Sequence, residues 1–135
     1  MIKAAIVGGS GYTGSELGRI LCRHPQISLE VITSRQNAGV PVAKVLPSLQ
    51  GFTDLSFEAQ LSDDVDLDLV FLATPHGASM EIAPGLLSRG IKVIDLSGDY
   101  RLSSPEVYEK WYGRPHSDPD GLSKAVYGMT ELFRE

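Results

Sequence analysis

Cysteine is nearly absent from this sequence: Cys22 is the only one, so no internal disulfide can form. A chain without disulfides fits a reducing compartment. No apolar run approaches the roughly 18 residues that a membrane-spanning helix needs. The glycines after Val7 also interrupt the first apolar run before it could serve as a signal peptide. We therefore expect a cytoplasmic protein with no membrane partner.

Basic residues are few as well. Lys and Arg total 12 against 17 Asp and Glu, the net charge is −5, and no basic cluster appears, which argues against a nucleic-acid partner. The acidic stretch SDDVDLDL (residues 62–69) fits a solvated loop before a strand better than a metal site, and His116 has no metal-ligand partners nearby in sequence. We expect no metal. The length of 135 residues and the 42% hydrophobic content fit one globular domain, residues 1–135.

Apolar runs alternate with helical patterns along the chain. Short, almost wholly apolar runs predict buried parallel strands, and apolar stripes at helical spacing predict helices. Strands are predicted at residues 2–7, 28–33, 68–73 and 91–96, and helices at residues 11–23, 78–89 and 105–112. Residues 36–53 are predicted to form a long loop, and the last twenty residues carry few signals. The alternation predicts an α/β fold with a doubly wound, Rossmann-like parallel sheet.

Four glycines stand between the first strand and the first helix, in GGSGYTG (residues 8–14). The spacing Gly8-x-x-Gly11-x-x-Gly14 differs from the commoner G-x-G-x-x-G, but it occupies the strand–turn–helix context of the dinucleotide fingerprint. Gly8 is predicted to take the tight turn, and Gly11 to let the backbone approach a pyrophosphate. Gly14, extended by Gly18, is predicted to let the helix lie close to the first strand. A turn that serves only packing remains the alternative.

The start of the first helix is predicted to face the phosphates of a dinucleotide. Its unpaired N–H groups, from residue 11 to residue 14, would point at the ligand, and the helix dipole favours negative charge there. Ser10 and Thr13 would add hydroxyl donors, and Tyr12 lies between them.

The end of the second strand decides which dinucleotide is bound. NAD-binding sites usually place an Asp or Glu there to accept from the ribose hydroxyls, whereas this sequence has Ser34 and Arg35. A carboxylate would repel a 2′-phosphate, and an arginine offers it a planar fork of donors. The sequence therefore predicts NADP, with a surface arginine that binds no ligand as the alternative.

Two further loops follow predicted strands, where parallel sheets bind ligands. In ATPHGAS (residues 73–79), His76 is a candidate base or cofactor contact, although a hydrogen-bonded structural histidine is the commoner case. In DLSGDYRL (residues 95–102), Ser97 is predicted to face the nicotinamide region. Asp99 and Arg101 are candidates for a mutual ion pair. Cys22, inside the first helix, is predicted to be a small packed thiol rather than a nucleophile.

Several motifs occur here in a fixed order: GGSGYTGSEL, TSR, ATPHGAS, DLSGDYRL, WYG followed by His116, and AVYGMTEL. In this order the sequence resembles the N-acetyl-gamma-glutamyl-phosphate reductases of arginine biosynthesis over nearly its whole length. The pairing of PHG with DLSGDYRL is the most specific part. Met-Thr in YGMTEL replaces the Leu-Pro that the family commonly has.

The resemblance implies NADPH-dependent reduction of an acyl phosphate to an aldehyde through a thioester on a cysteine. In the family that cysteine lies in an NPGCYPT-like motif shortly after the segment at which this sequence ends. We therefore expect the substrate domain to be absent, no catalytic residue within the chain, and an inactive fragment. The full-length enzyme is expected to take a small-molecule substrate and to form a homo-oligomer.

Two other functions stay open. One is the related reductase that acts on N-acetyl-aminoadipyl phosphate in lysine biosynthesis, and the other is a stand-alone NADP-binding regulatory module. The predicted cofactor-binding residues are Gly8, Ser10, Gly11, Tyr12, Thr13, Gly14, Ser34, Arg35, Thr74, Pro75, His76 and Ser97.

Overall fold

The computed structural model describes residues 1–132 and contains four strands and five α-helices within them; residues 133–135 of the predicted domain lie outside the described part. The elements are β1 (Ile2–Val7), α1 (Tyr12–Leu21), β2 (Ile27–Ile32), α2 (Val42–Val45), a 3₁₀ helix (Pro47–Leu49), β3 (Leu69–Leu72), α3 (Ser79–Ser88), β4 (Lys92–Asp95), α4 (Pro105–Tyr112) and α5 (Pro119–Lys124). No helix in the described part is long and apolar enough to cross a membrane.

The four strands form one parallel sheet in the order β2-β1-β3-β4. The predicted doubly wound α/β fold is thus confirmed. The chain leaves β1 toward one side to form β2 and later returns to the other side of β1 to form β3. The strand order therefore reverses between β1 and β3, whose carboxyl ends are at Val7 and Leu72. In open α/β sheets ligands bind at such a point.

Side chains alternate between the two faces of the sheet, and each face has its own core. On β1, Ala4 and Ile6 pack in a cluster with Leu49 and Phe57 of the segment between β2 and β3. Ala5, between them, packs on the opposite face with residues that include Leu86 of α3. This period of two follows from the strand pleat. The sheet is covered on both faces, which holds the strand ends in place.

The segment predicted as a long loop, residues 36–53, contains α2 and the 3₁₀ helix. This prediction was wrong because a helix of four residues is too short to show a periodic apolar pattern. Val42 and Leu49 from this segment are fully buried. The segment therefore forms part of one core rather than a solvent-exposed connection.

The helix ends follow local capping chemistry. α4 has the predicted bounds: the Ser104 hydroxyl accepts from the Val107 N–H at 3.2 Å, and Pro105 occupies the first turn. α1 ends at Leu21 rather than at residue 23. α5 was not predicted, although Asp118 caps it by accepting from the Gly121 N–H at 3.0 Å. The sequence signal for α5 was Asp118, a favourable N-cap residue directly before Pro119.

Candidate functional site

The glycine turn after β1 is tied to the end of β2. The Gly8 N–H donates to Thr33 Oγ1 at 3.1 Å, and the Gly9 N–H donates to the Thr33 carbonyl at 2.8 Å. Thr33 in turn donates its own N–H to the Ile6 carbonyl. Through these hydrogen bonds, Thr33 joins the turn that follows β1 to the segment that follows β2.

Three of the glycines in this turn, Gly8, Gly9 and Gly14, are required by close packing, and a Cβ on Gly9 would overlap the Ile32 side chain. Gly8 has φ of +84°, and a Cβ there would lie 2.5 Å from the Ala73 carbonyl oxygen, at the end of β3. A Cβ on Gly14 would lie 2.5 Å from Gly9 Cα, so Gly14 lets α1 approach the turn that directly follows β1. Gly18 does not extend that contact, because it faces Leu49.

Gly11 is different, because a Cβ at this position would meet nothing within 4 Å. It is the N-cap of α1, no side chain caps the helix, and the first turn contains no acidic residue. Thr13 is exposed and Tyr12 is fully exposed. The first N–H groups of α1 therefore face open space, and the helix dipole adds partial positive charge there.

The turn and the end of β2 also meet through side chains. Ser34 Oγ donates to Ser10 Oγ at 2.9 Å, and Asn37 Nδ2 donates to Ser34 Oγ at 3.0 Å. Ser34 is buried, whereas Ser10 is half-buried. Ser10 and Ser34, which the sequence placed in one site, are thus brought together, and Asn37 joins them.

Arg35, the next residue, is exposed and forms no ion pair within residues 1–132. Its guanidinium is available to an outside anion, and the described side chains do not neutralise it. The cationic side chain therefore belongs to the residue directly after Ser34, which is hydrogen-bonded to Ser10.

The N-terminus of α3, unlike that of α1, is closed by a carboxylate. Both oxygens of Asp99 accept from the Gly77 N–H, at 2.8 and 2.9 Å, and one accepts from the Ser79 N–H at 3.1 Å. The Tyr108 hydroxyl donates to the same group at 2.9 Å. Asp99 is fully buried and forms no ion pair in the described part of the chain. The predicted pair between Asp99 and Arg101 was wrong, because the sheet topology brings the α3 donors to Asp99.

Burial of the ring and the hydrogen bond to Asp99 raise the pKa of Tyr108 to about 12, so its hydroxyl stays a donor at neutral pH. The Tyr108 ring stacks on Tyr112 at 4.7 Å between centroids, and Tyr112 contacts His76 at 5.1 Å. α4 therefore supports the loop that carries His76.

His76 itself is exposed, and its Nδ1 accepts from the Gly98 N–H at 3.2 Å. The ring proton of the neutral imidazole is then on Nε2, where it can be donated to a ligand. Arg114 Nη1 donates to the His76 carbonyl at 3.2 Å. The structural role considered for His76 is therefore filled by Nδ1, whereas Nε2 stays open to a ligand. Pro75 beside it is also exposed.

The hydroxyls of Thr74 and Ser97 are engaged within the protein. Ser79 Oγ donates to Asp95 at 2.7 Å, so the 2.8 Å contact between Thr74 and Ser79 is one in which Thr74 donates. Ser97 Oγ donates to the other Asp95 oxygen at 2.8 Å. Both hydroxyls can therefore only accept from a ligand.

The sequence did not predict several residues that organise this region, namely Thr33, Asn37, Asp95 and Tyr108, nor did it predict the role of His116. His116 is buried; its Nδ1 accepts from the Asp118 N–H, so its Nε2 donates to the Asp99 carbonyl at 2.7 Å. Only the recurrence of Asp and Ser in DLSGD offered a signal. No group of three His, Cys, Asp or Glu residues that could hold a metal ion lies within residues 1–132.

Cys22 follows α1 at its end distant from the glycine turn and is half-buried. Burial raises the pKa of its thiol. A thiol of that kind is a weak nucleophile, in agreement with the packing role predicted for it.

The chain matches a protein family described as semialdehyde dehydrogenase, NAD binding domain, over residues 3–135. It is 52% identical to the N-acetyl-gamma-glutamyl-phosphate reductase of Nitrosococcus oceani, over the whole chain and 40% of that protein. It is 54% identical to the reductase of the same name from Acinetobacter baylyi, again over the whole chain and 39% of that protein. The predicted resemblance is confirmed, and the chain spans about two-fifths of the length of these curated relatives.

Solved structures show the same fold. A Candida albicans aspartate semialdehyde dehydrogenase with NADP superposes with a TM-score of 0.64 at 20% identity, over 78% of this chain and 32% of that one. A Vibrio cholerae aspartate semialdehyde dehydrogenase II complexed with ASA gives 0.57 at 18% identity, over 84% and 36%. With the family match over residues 3–135 and the strand order already described, the chain belongs to the semialdehyde dehydrogenase NAD-binding domain family.

Proposed function

We propose that this chain binds NADPH and is the cofactor-binding part of an N-acetyl-gamma-glutamyl-phosphate reductase. The observation that carries the proposal is the uncapped N-terminus of α1, which opens at Gly11 beside the end of β2. The names of the relatives support the reaction and the substrate, and the open start of α1 supports cofactor binding at this end of the sheet.

The pyrophosphate fits the start of α1. A phosphate can approach the backbone at Gly11 because no side chain stands in the way. The N–H groups of Tyr12, Thr13 and Gly14 then point at it, and Thr13 adds a hydroxyl donor. No carboxylate in the first turn of α1 repels it.

The adenosine end fits beside Ser34 and Arg35. The chain after β2 reads Thr33-Ser34-Arg35, so the acidic residue that usually accepts from the ribose hydroxyls is absent. The exposed guanidinium of Arg35 can form charge-assisted hydrogen bonds with a 2′-phosphate. NADP is therefore the better fit of the two dinucleotides.

The nicotinamide end is assigned to the loops after β3 and β4. Pro75 and His76 are exposed there, and Thr74 and Ser97 offer acceptor oxygens. His76 Nε2 can donate a hydrogen bond. When bound, NADPH supplies the hydride for reduction, and these residues orient its ring.

No side chain of this chain is assigned to catalysis. The only cysteine, Cys22, lies at the far end of α1 with a raised thiol pKa. We therefore expect the 135-residue chain to bind cofactor and to turn over nothing.

The test is a calorimetric titration of the chain with NADPH and with NADH, at low and high salt. Tighter and more salt-sensitive binding of NADPH is expected. Arg35→Ala should weaken NADPH binding by about 2 kcal/mol, or about 30-fold, because charge-assisted hydrogen bonds are lost, and should leave NADH nearly unchanged.

Lys92→Ala is the matched control, because it removes one exposed positive charge at the start of β4, at the opposite edge of the sheet. Equal losses for both cofactors in Arg35→Ala would remove the 2′-phosphate role. Failure of the unmodified chain to bind either cofactor would count against the proposed function itself.

A further inference from the structure

Three side chains form a directed chain of hydrogen bonds between the β2 end and the glycine turn. Asn37 Nδ2 donates to Ser34 Oγ at 3.0 Å, and Ser34 Oγ donates to Ser10 Oγ at 2.9 Å. Ser34 is 6% exposed, and its hydroxyl hydrogen is already donated to Ser10. Ser10 is half-buried and lies directly before Gly11, at the open start of α1.

The direction of these hydrogen bonds follows from which groups can donate and which can accept. An amide nitrogen only donates, so Ser34 must accept from Asn37. The single hydroxyl hydrogen of Ser34 then goes to Ser10, and the hydrogen of Ser10 has to point elsewhere. Asn37 thereby leaves the Ser10 hydrogen free to be donated to a group other than Ser34, although Asn37 lies 27 residues further along the sequence.

We propose that Asn37 is a positioning residue for cofactor selectivity, which orients the Ser34 and Ser10 hydroxyls so that Ser10 donates to the 2′-phosphate of NADP. The inference rests on the proposed function. The 2′-phosphate is assigned because Ser10 is joined to the residue that follows β2, where the adenosine ribose binds in this fold, and Arg35 is next to it. A phosphate oxygen can only accept, whereas a ribose hydroxyl can also donate.

The sharpest variant is Asn37→Asp. A carboxylate of the same shape accepts only, so Ser34 would donate to it, and Ser10 would donate to Ser34 and present a lone pair to the ligand. We expect NADPH affinity to fall on the order of tenfold or more relative to NADH, because a hydrogen bond to a charged group is lost. Asn37→Ala, which removes the orienting donor without adding charge, should lower the same ratio by about threefold, in line with loss of a neutral hydrogen bond.

Gln36→Glu is the control for charge. It places a carboxylate on the exposed neighbouring residue, without the contact to Ser34. If Gln36→Glu changes the NADPH-to-NADH ratio as much as Asn37→Asp does, the effect is electrostatic and the positioning role is wrong. If Asn37→Asp does not fold, as judged by thermal denaturation, Asn37→Ala provides the test.

A double-mutant cycle separates positioning from general loss of structure. In a Ser10→Ala background, Asn37→Ala should have no further effect on the ratio of the two dissociation constants, because the group through which it acts is gone. The same loss in both backgrounds would overturn the proposal.

Titration with 2′,5′-ADP and with ADP distinguishes the two phosphates that Ser10 could reach. A loss confined to 2′,5′-ADP supports the 2′-phosphate, and an equal loss for both ligands assigns the hydroxyl to the pyrophosphate and overturns the proposal. Binding of NADPH by the unmodified chain with an unchanged ratio in the variants would refute this inference and leave the proposed function intact.

Discussion

Replacing Asp99 by asparagine should destabilise the fold far more than an ordinary charge removal. The carboxylate is fully buried and accepts from the Gly77 and Ser79 N–H groups and from the Tyr108 hydroxyl. An asparagine of the same size keeps one acceptor oxygen. Its NH₂ group would face a donor where the second carboxylate oxygen now accepts, so at least one buried donor would lose its partner.

The size of the loss follows from those three donors. A hydrogen bond to a charged group contributes about 1.5–3 kcal/mol, and a neutral one about half as much. If one bond is lost outright and the other two become neutral bonds, the loss is about 3–6 kcal/mol. Since domains of this size are stable by about 5–15 kcal/mol, Asp99→Asn should leave a marginal protein.

The assay is urea unfolding followed by circular dichroism. With a slope near 1.5 kcal/mol/M, the midpoint should fall by about 2 M or more. Asp54→Asn, an exposed carboxylate, is the control and should change the unfolding free energy by less than about 0.5 kcal/mol. Equal, small effects of both variants would refute the argument that Asp99 is the acceptor that organises the α3 N-terminus.

Three further predictions test Tyr108 and two glycines of the turn after β1. The folded-state pKa of Tyr108 is raised to about 12 from 10.0, so the stability that its hydroxyl contributes is complete below pH 10 and is lost as the pH rises through 12. In Tyr108→Phe the free energy of unfolding should therefore fall less steeply with pH in the alkaline range. An unchanged pH profile would contradict the raised pKa of Tyr108. Gly8→Ala should cost about 2–3 kcal/mol in urea unfolding, because its φ is +84° and a Cβ would overlap the Ala73 carbonyl. Gly11→Ala should leave stability within about 1 kcal/mol, since a Cβ there meets nothing, and yet weaken NADPH binding.

The sequence was sufficient for the parts of the fold that depend on local patterns. Each strand predicted from an apolar run is present within one residue of its predicted bounds. The central strands β1 and β3 are buried on both faces and need such a run, whereas β4, at the edge of the sheet, is partly exposed. Short helices held by tertiary contacts left no such pattern, as at Val42–Val45. There the buried contacts of Val42 and Leu49 stabilise the segment, and those contacts depend on a sheet that the segment alone cannot specify.

For the site, the sequence identified which loops matter but not how their side chains are connected. Ser10 and Ser34 were both predicted, yet the hydrogen bond between them spans 24 residues and becomes visible only when β1 and β2 are paired. The error at Asp99 has the same origin. Proximity in sequence suggested Arg101 as its partner, whereas strand order brings the amides of Gly77 and Ser79, about twenty residues earlier, to the carboxylate.

The two helices that start at the carboxyl edge of the sheet have opposite electrostatic roles, although both follow a strand and a glycine-containing turn. α1 has an uncapped N-terminus beside Ser10, with Arg35 after the neighbouring strand. At α3 the Gly77 and Ser79 N–H groups already donate to the buried Asp99 carboxylate, whose charge would also repel a phosphate. Of these two helix starts, that of α1 is therefore the more favourable for an anion. The loop before α3 is hydrogen-bonded through His76 Nδ1 to the Gly98 N–H, which leaves Nε2 of the exposed ring open.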